Sequence, residues 1–258
     1  MSAPDSIAPT KVSVITVCYN SESTLARSLT SVSDQDWPEI EHIVIDGNST
    51  DNTLGIINEF RAGLTHVISE QDNGIYEAMN KGLARSSGDI VCFLNSDDWY
   101  VSNSVITRVI AKMKANNLDA LLGDAGFFIS SQPERLIRRY RSDRFITFGL
   151  SMGWMPAHPG LFLTKTVVDR VGRFKTDYKI AGDFEYMIRV FHNQDLAYQH
   201  FPEILVGMQL GGASTGGWRS KVELNKEVLR ACRENGVKTN LFKVLSKYPI
   251  KLLDKFIR

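Results

Sequence analysis

The chain lacks a charge excess of either sign: 30 Lys and Arg stand against 29 Asp and Glu, a formal net charge of +1 over 258 residues. A protein that grips nucleic acid through its global field needs a basic surplus, so no nucleic acid partner is expected and any charged partner must be met locally. Cysteine is scarce too. Cys18, Cys92 and Cys232 are far apart in sequence, and two of them sit inside apolar runs, where the thiol behaves as a small hydrophobe. This usage predicts a reduced, cytoplasmic protein. Residues 1–10 are polar and contain proline, without the basic start and apolar stretch of a signal peptide, and are expected to form a disordered tail. No uninterrupted apolar segment reaches the roughly 20 residues that span a bilayer. Contact with a membrane is therefore expected only as a peripheral association on the cytoplasmic face of the inner membrane. There is no internal repeat.

What the chain has instead is apolar content, 43% of its residues, enough to bury a sizeable core in one or two domains. Residues 12–18 form a β-branched apolar run that Tyr19-Asn20-Ser21 breaks, which predicts a buried strand. Leu25, Leu29 and Val32 then recur at spacings of four and three, the stripe of a helix capped by Ser21 or Ser23. A second strand at 40–45 ends in Asp46-Gly47-Asn48-Ser49-Thr50-Asp51, a run dense in turn formers, and Leu54, Ile57 and Phe60 begin the next helix. A short strand at 64–69, a helix at 75–85 and a strand at 90–94 continue the series. Such repeated strand–helix pairs imply a parallel sheet with helices on both faces.

Beyond residue 98 the pattern loosens. A helix is expected at 101–115, a strand at 120–129, a rigid turn at 156–160 ahead of an apolar strand at 161–163, and a helix at 184–192 entered through Gly182-Asp183. The glycine-rich stretch 211–217 reads as a mobile loop and the best internal boundary, with helix after it. Two basic features stand out. Arg135, Arg138, Arg139, Arg141 and Arg144 form a dense run, a solvated face suited to a lipid-linked diphosphate. Near the end, Lys243, Lys247, Lys251 and Lys255 recur every four residues, with Leu241, Phe242, Leu245, Leu252, Leu253 and Phe256 between them. A basic amphipathic segment lies flat on an anionic membrane surface, at about 1 kcal/mol per basic residue. The alternative is a terminal helix packed on the domain with its lysines in water. Pro249 is expected to kink or restart this helix.

Asn95-Ser96-Asp97-Asp98 directly follows the strand at 90–94. Ligands of open α/β sheets collect beyond the carboxyl ends of the strands, and two ionised carboxylates crowded there need a counter-charge. A divalent cation carrying a phosphate would supply it. The plain alternative is a turn that caps the next helix.

These pieces join into one pattern. Val14-Ile15-Thr16-Val17-Cys18-Tyr19-Asn20, Ile45-Asp46-Gly47-Asn48-Ser49-Thr50-Asp51, Asn73-Gly74-Ile75-Tyr76 with Ala78-Met79-Asn80-Lys81-Gly82, and Phe93-Leu94-Asn95-Ser96-Asp97-Asp98 resemble, in order and spacing, the family 2 inverting glycosyltransferases that make bacterial surface polysaccharides. The resemblance implies an α/β GT-A fold, a Rossmann-like and mostly parallel sheet flanked by helices over 11–215, with a C-terminal helical, basic amphipathic extension over 216–258. It implies transfer of a sugar, with inversion, from a nucleotide diphosphate sugar donor to a hydroxyl of a glycan or lipid-linked glycan acceptor. Mg2+ or Mn2+ would be the cofactor.

Site residues follow from the same resemblance. Asp98 would hold the metal on the diphosphate, where hard carboxylate oxygens suit the ion, and Asp97 would face ribose or metal. Asp46 would accept hydrogen bonds from the base or ribose. Asp72, Asn80 and Lys81 belong to the segment that closes over the nucleotide, with Lys81 as a point charge near phosphate. Asp183 would be the general base that takes the proton from the acceptor hydroxyl, with Glu185 in reserve; Glu185 and His158 would lie on the acceptor side. Turn and cap chemistry is the competing account of Asp46, Asp51 and Asp183, and core packing that of Tyr76 and Met79.

Three positions depart from the pattern: Gly47 and Gly182 stand where relatives often carry Asp and Glu, and Asn95 where an acid is common. They keep open a nucleotide-sugar-binding protein of the same fold with weak or lost activity. A nucleotidyltransferase is the other rival, but its Gly-rich, Arg- and Lys-bearing phosphate loop after the first strand has no counterpart in Tyr19-Asn20-Ser21-Glu22.

Overall fold

The computed structural model describes residues 10–129, 132–192, 195–209 and 217–253. The expected tail at 1–9, nearly all of the glycine-rich loop, and Lys255 and Phe256 lie outside the described residues.

The first half follows the strand–helix alternation. Strands β1 (Val12–Cys18), β2 (Ile40–Asp46), β3 (His66–Ser69) and β4 (Ile90–Phe93) pair in parallel in the order β3-β2-β1-β4. Every residue of β1 is buried, as a central parallel strand covered on both faces requires. Helix α1 (Leu25–Ser33) sets Leu25, Leu29 and Val32 into the core, and α2 (Thr53–Glu59) sets Ile56 and Ile57. Helix α3 (Ile75–Leu83) rides close on β1, because Gly82 faces the Ile15 side chain with no room for a Cβ between them.

The second half is mixed. A three-residue strand β5 (Asp98–Tyr100) precedes α4 (Val105–Ala115), so the helix expected from 101 starts four residues later. Then come β6 (Ala120–Ile129), β7 (Gln132–Tyr140), α5 (Asp143–Phe148), β8 (Leu161–Thr164), α6 (Lys165–Val171), α7 (Gly182–Phe191) and β9 (Tyr198–Gln209). The sheet extends as β4-β8-β6-β9-β5, with β7 on β6. Strand β8 is antiparallel to both β4 and β6, whereas β6 and β9 are parallel. The sheet curls where β6 leaves β8 after Leu122 and takes up β7 from Ala125. The parallel reading thus describes β1 to β4, and antiparallel insertions complete a mixed α/β fold.

Helices α8 (Trp218–Glu234) and α9 (Leu241–Leu253) close the chain. Val228, Ala231, Cys232 and Val244 join one buried cluster with Phe184, Tyr186 and Met187 of α7. The C-terminal extension therefore shares the core of the sheet domain. Helix α9 runs through Pro249, and its lysine stripe is not turned to water as a set. Lys247 is 4% exposed and lies against Gly153, whereas Phe242 is 89% exposed and Leu241 and Leu245 are exposed beside it.

Candidate active site

The turn after β2 is stitched to the tip of β1. Asn20 N–H donates to Ser49 Oγ at 2.8 Å, Ser21 N–H to Thr53 Oγ1 at 2.7 Å, and Thr50 N–H to the Asn20 side-chain oxygen at 2.9 Å. Asn20 and Asn48 make this possible at φ of 48° and 66°, a left-handed conformation that Asn tolerates. Asp51 accepts from Thr53 N–H at 3.0 Å and Glu22 N–H at 3.1 Å, which is turn chemistry.

Asp46 lies beneath this turn, fully buried. Its carboxylate accepts the Ser49 N–H at 3.1 Å, the Ser49 hydroxyl, and the Ser69 hydroxyl at 2.7 Å. Both oxygens are thus engaged by the protein, and the side chain forms floor rather than an open acceptor for base or ribose. The neighbours supply the open surface. Tyr19 is 62% exposed at the carboxyl end of β1. A Cβ at Gly47 would stand 2.9 Å from Asp72 Oδ2 and 3.4 Å from Tyr19 Cδ2, so the glycine lets a carboxylate and an aromatic ring approach one another. Asp72 also accepts Gly74 N–H at 3.0 Å, and Gly74, at φ 128°, turns the chain into α3. A ring to stack on and a carboxylate to accept hydrogen bonds suit a nucleoside. Tyr19 is not among the residues the sequence singles out; the signal for it is an aromatic at the end of a parallel strand.

The acidic turn sits beside the same strand tip. Ser96 N–H donates to Val17 O at 3.3 Å, and the Ser21 and Ser96 hydroxyls meet at 2.9 Å. Asp98 is buried and Asp97 half-buried. Burial, and then the charge of Asp97, push the Asp98 carboxyl well above the usual carboxylate range; burial raises Asp97 as well. Asp98 Oδ2 and Asn95 Oδ1 are buried with no hydrogen-bond partner. Orphaned oxygens next to a second carboxylate are what a hard divalent cation satisfies, so these residues fit Mg2+ or Mn2+. Among the described residues no group of three or more His, Cys, Asp or Glu side chains could hold an ion unaided. Phosphate oxygens and water would complete the shell. Arg27 is a further neighbour that the sequence did not single out. Its guanidinium lies 3.6 Å from the Trp99 ring centroid and donates to Gln209 Oε1 at 3.1 Å, and its charge favours the ionised forms of Asp97 and Asp98.

Asp183 occupies the first turn of α7, where Oδ1 accepts the Phe184 N–H at 2.7 Å. Burial raises its pKa from the ordinary 3.8 to about 6, with the Glu227 charge adding to the rise and backbone donors at the helix start opposing it. A carboxylate poised there is ionised at neutral pH and still basic enough to take a proton. Gly182 has a packing reason: a Cβ would lie 2.7 Å from the Tyr76 ring, and the Tyr76 hydroxyl donates to Ile180 O at 2.7 Å. His158 stacks on Phe93 at 5.2 Å and meets Phe174 edge-on at 6.1 Å, while Phe174 stacks on Tyr186 at 4.1 Å. Burial lowers the His158 pKa to about 4, so its ring is neutral at physiological pH.

Three expected site residues are occupied elsewhere. Asn80 clips the backbone of Phe174, donating to its carbonyl at 2.9 Å and accepting its N–H at 2.8 Å. Lys81 donates to Gln71 O at 3.0 Å and pairs with Glu70 at 3.1 Å, holding the loop that carries Asp72 instead of offering an open charge. Glu185 is fully buried, bound by Arg189 at 2.9 Å and Lys175 at 3.1 Å, and lines no acceptor surface. The arginine run is likewise divided. Arg139 pairs with buried Asp124 at 2.6 Å, Arg141 with Asp143 at 2.5 Å, and Arg138 lies over the Phe127 ring.

A curled mixed sheet with carboxylates beyond the ends of its parallel strands defines the GT-A class of glycosyltransferases. The model for the family described as Glycosyl transferase family 2 matches residues 13–167, and the chain belongs to that family. It is 33% identical over 187 residues to an uncharacterized glycosyltransferase of Mycobacterium tuberculosis, covering 70% of this chain and 69% of that one. It is 27% identical over 207 residues to the PGL/p-HBAD biosynthesis glycosyltransferase of Mycobacterium bovis, covering 78% of each. Among solved structures, S. aureus TarS 1–349 in complex with UDP-GlcNAc is similar at a TM-score of 0.71 and 22% identity, over 90% of this chain and 68% of that one. The Pyrobaculum calidifontis mannosyltransferase in complex with GDP-Man and Mn2+ is similar at 0.66 and 19% identity, over 88% and 66%. In other TarS structures this chain spans 65% of the 1–349 fragment and 39% of a longer chain. At these identities the solved structures show the shared fold.

Proposed function

We propose that this chain transfers a sugar, with inversion, from a nucleotide diphosphate sugar to a hydroxyl of a glycan or lipid-linked glycan acceptor. The observation that carries the reading is Asp183, a carboxylate raised to about 6 at the start of α7, in a chain whose acidic turn keeps an unpartnered oxygen at Asp98. Tyr19 and Asp72 would receive the nucleoside. Asp98, with Asp97, would hold a divalent cation, which when bound would neutralise charge developing on the leaving diphosphate. Asp183 takes the proton from the acceptor hydroxyl, the oxygen bonds to the anomeric carbon from the face opposite the diphosphate, and the bond from that carbon to the phosphate oxygen breaks. A relative bound to UDP-GlcNAc and another bound to GDP-Man with Mn2+ support a nucleotide sugar as donor and a metal as helper. The test is Asp183→Asn, which should lower turnover by about two to four orders of magnitude while nucleotide binding persists; unchanged turnover overturns the reading.

The acceptor's lipid side has its own support. No helix among the described residues is long and apolar enough to cross a membrane. Yet Trp218 and Val222 on α8 and Leu241, Phe242 and Leu245 on α9 are exposed, with Arg219, Lys221 and Lys243 exposed near them. We infer a peripheral contact with anionic lipid, apolar side chains inserted and basic ones at headgroup level. Val244 is buried, so truncation of α9 would open the core. Phe242→Glu is the cleaner probe: it should release the protein from vesicles containing phosphatidylglycerol in sedimentation assays, and retained binding refutes the contact.

A further inference from the structure

Helix α8 sends one buried carboxylate to the backbone from which the candidate base emerges. Glu227, 6% exposed, accepts the N–H of Lys179 at 2.7 Å, of Ile180 at 2.9 Å and of Ala181 at 2.7 Å. Three successive amides converging on one carboxylate make an anion nest filled by a side chain, and such charge-assisted bonds are strong. The Ile180 carbonyl is held from the other side by the Tyr76 hydroxyl. Ala181 is the N-cap residue of α7, and its carbonyl accepts the Glu185 N–H at 3.0 Å. Gly182 and Asp183 come next. The stretch 175–181 contains no glycine or proline to fix its path, so its geometry depends on partners distant in sequence.

We propose that Glu227 is a positioning residue for Asp183, its carboxylate fixing the 179–181 backbone and so the aim of the base at the acceptor hydroxyl. This rests on the reading of Asp183 as the base. It also makes the C-terminal helices part of the catalytic unit. Beyond burial, Glu227 from α8 is the titratable group that raises Asp183, and the Asp183 charge in turn adds to the rise of Tyr76 from α3 and Tyr140 from β7. The Tyr140 hydroxyl is pushed up to about 12 and that of Tyr76 is also raised. Both tyrosines are neutral at physiological pH, and Glu227 supplies the negative charge.

Glu227→Gln keeps the size and one carbonyl acceptor while losing the charge and the second acceptor. A carbon-13 titration of the Asp183 carboxyl, assigned with Asp183→Asn, needs no substrate: its midpoint should fall in Glu227→Gln, and hydrogen exchange at Lys179, Ile180 and Ala181 should accelerate. With UDP-GlcNAc and GDP-mannose plus Mn2+ as donor probes and alkyl glycosides as acceptors, kcat should drop about 10- to 100-fold with donor KM little changed. Tyr178→Phe removes a 2.9 Å bond from the same stretch to Glu234 and serves as the control; it should lower stability without moving the titration midpoint. An unmoved midpoint in Glu227→Gln, or a moved midpoint with unchanged kcat, overturns the proposal. Turnover retained in Asp183→Asn overturns the base reading and the proposal with it. Turnover abolished in Asp183→Asn but unchanged in Glu227→Gln removes Glu227 alone.

Discussion

Replacing Asp183 by Asn should do two opposite things, and their coincidence is the test. The carboxyl is raised from 3.8 to about 6 by burial and by the Glu227 charge. For an acid the folded state then binds its proton more tightly than the unfolded state does. The folded protein therefore carries no penalty from this group below about pH 3.8, an increasing one between 3.8 and 6, and the full one above. At 1.36 kcal/mol per pH unit the full penalty is about 3 kcal/mol, an upper bound for a site with some access to water. Asparagine is uncharged and its carbonyl oxygen can keep the bond from the Phe184 N–H. Asp183→Asn should thus raise the melting temperature by several degrees at pH 8, with a gain of about half as much free energy at pH 5. Turnover should fall by about two to four orders of magnitude through loss of the base. Thermal melts at the two pH values and nucleoside diphosphate release at pH 8 measure both effects. A variant destabilised equally at pH 5 and pH 8 would refute the buried charge, and one that turns over normally would refute the base.

Asp98→Ala removes one of the orphaned oxygens; Mn2+ with UDP or GDP should raise the melting temperature of the unmodified protein, by about 2.7 kcal/mol of stabilisation at 100 times Kd, and leave the variant unmoved. An equal response in both would count against Asp98 as the metal ligand. Asn80→Ala deletes both bonds to the Phe174 backbone and should cost about 1–3 kcal/mol in urea unfolding with nucleotide affinity unchanged. Lost affinity at unchanged stability would return Asn80 to the nucleotide.

The first half of the fold was readable because β-branched, apolar-rich stretches alternate with helical stripes; β1 begins and ends where the sequence places it. The second half was not, because its strands are shaped by their partners. Strand β9 contains His200, Pro202, Glu203 and Gly207, and its register against β6 shifts twice near Asp124. Strand β7 carries arginines, of which Arg139 answers the buried Asp124 on β6 and Arg138 lies over the Phe127 ring. Three residues of β5 are too few to show a period. In the site, the sequence located acids at strand ends but could not say which were already spoken for. Ser69 is 23 residues from Asp46, and Phe174 is 94 from Asn80. Contacts at such separations leave no local pattern. The lysines of α9 do not form one face: a spacing of four on a helix of 3.6 residues per turn drifts around the axis, and Lys247 is buried against Gly153 while Lys243 is exposed.

The three departures from the family pattern bear on whether chemistry survives, and packing accounts for two of them. A side chain at Gly182 would strike the Tyr76 ring, and one at Gly47 would press on Asp72. In both places a group from elsewhere in the fold fills the space that a side chain would need: the Tyr76 ring from α3 at Gly182, and the Asp72 carboxylate with the Tyr19 ring at Gly47. Asp98, buried with an unpartnered oxygen, destabilises the empty fold, a cost that a bound ligand would offset. Asn95 fits the same logic, because its own buried oxygen is also unpartnered, and a neutral ligand there would lower the negative charge at the turn without removing a donor to the cation. Uncompensated polar atoms at the end of a buried strand argue for a ligand that satisfies them; turnover, lost or kept in Asp183→Asn, separates a transferase from a protein that only binds the same ligand.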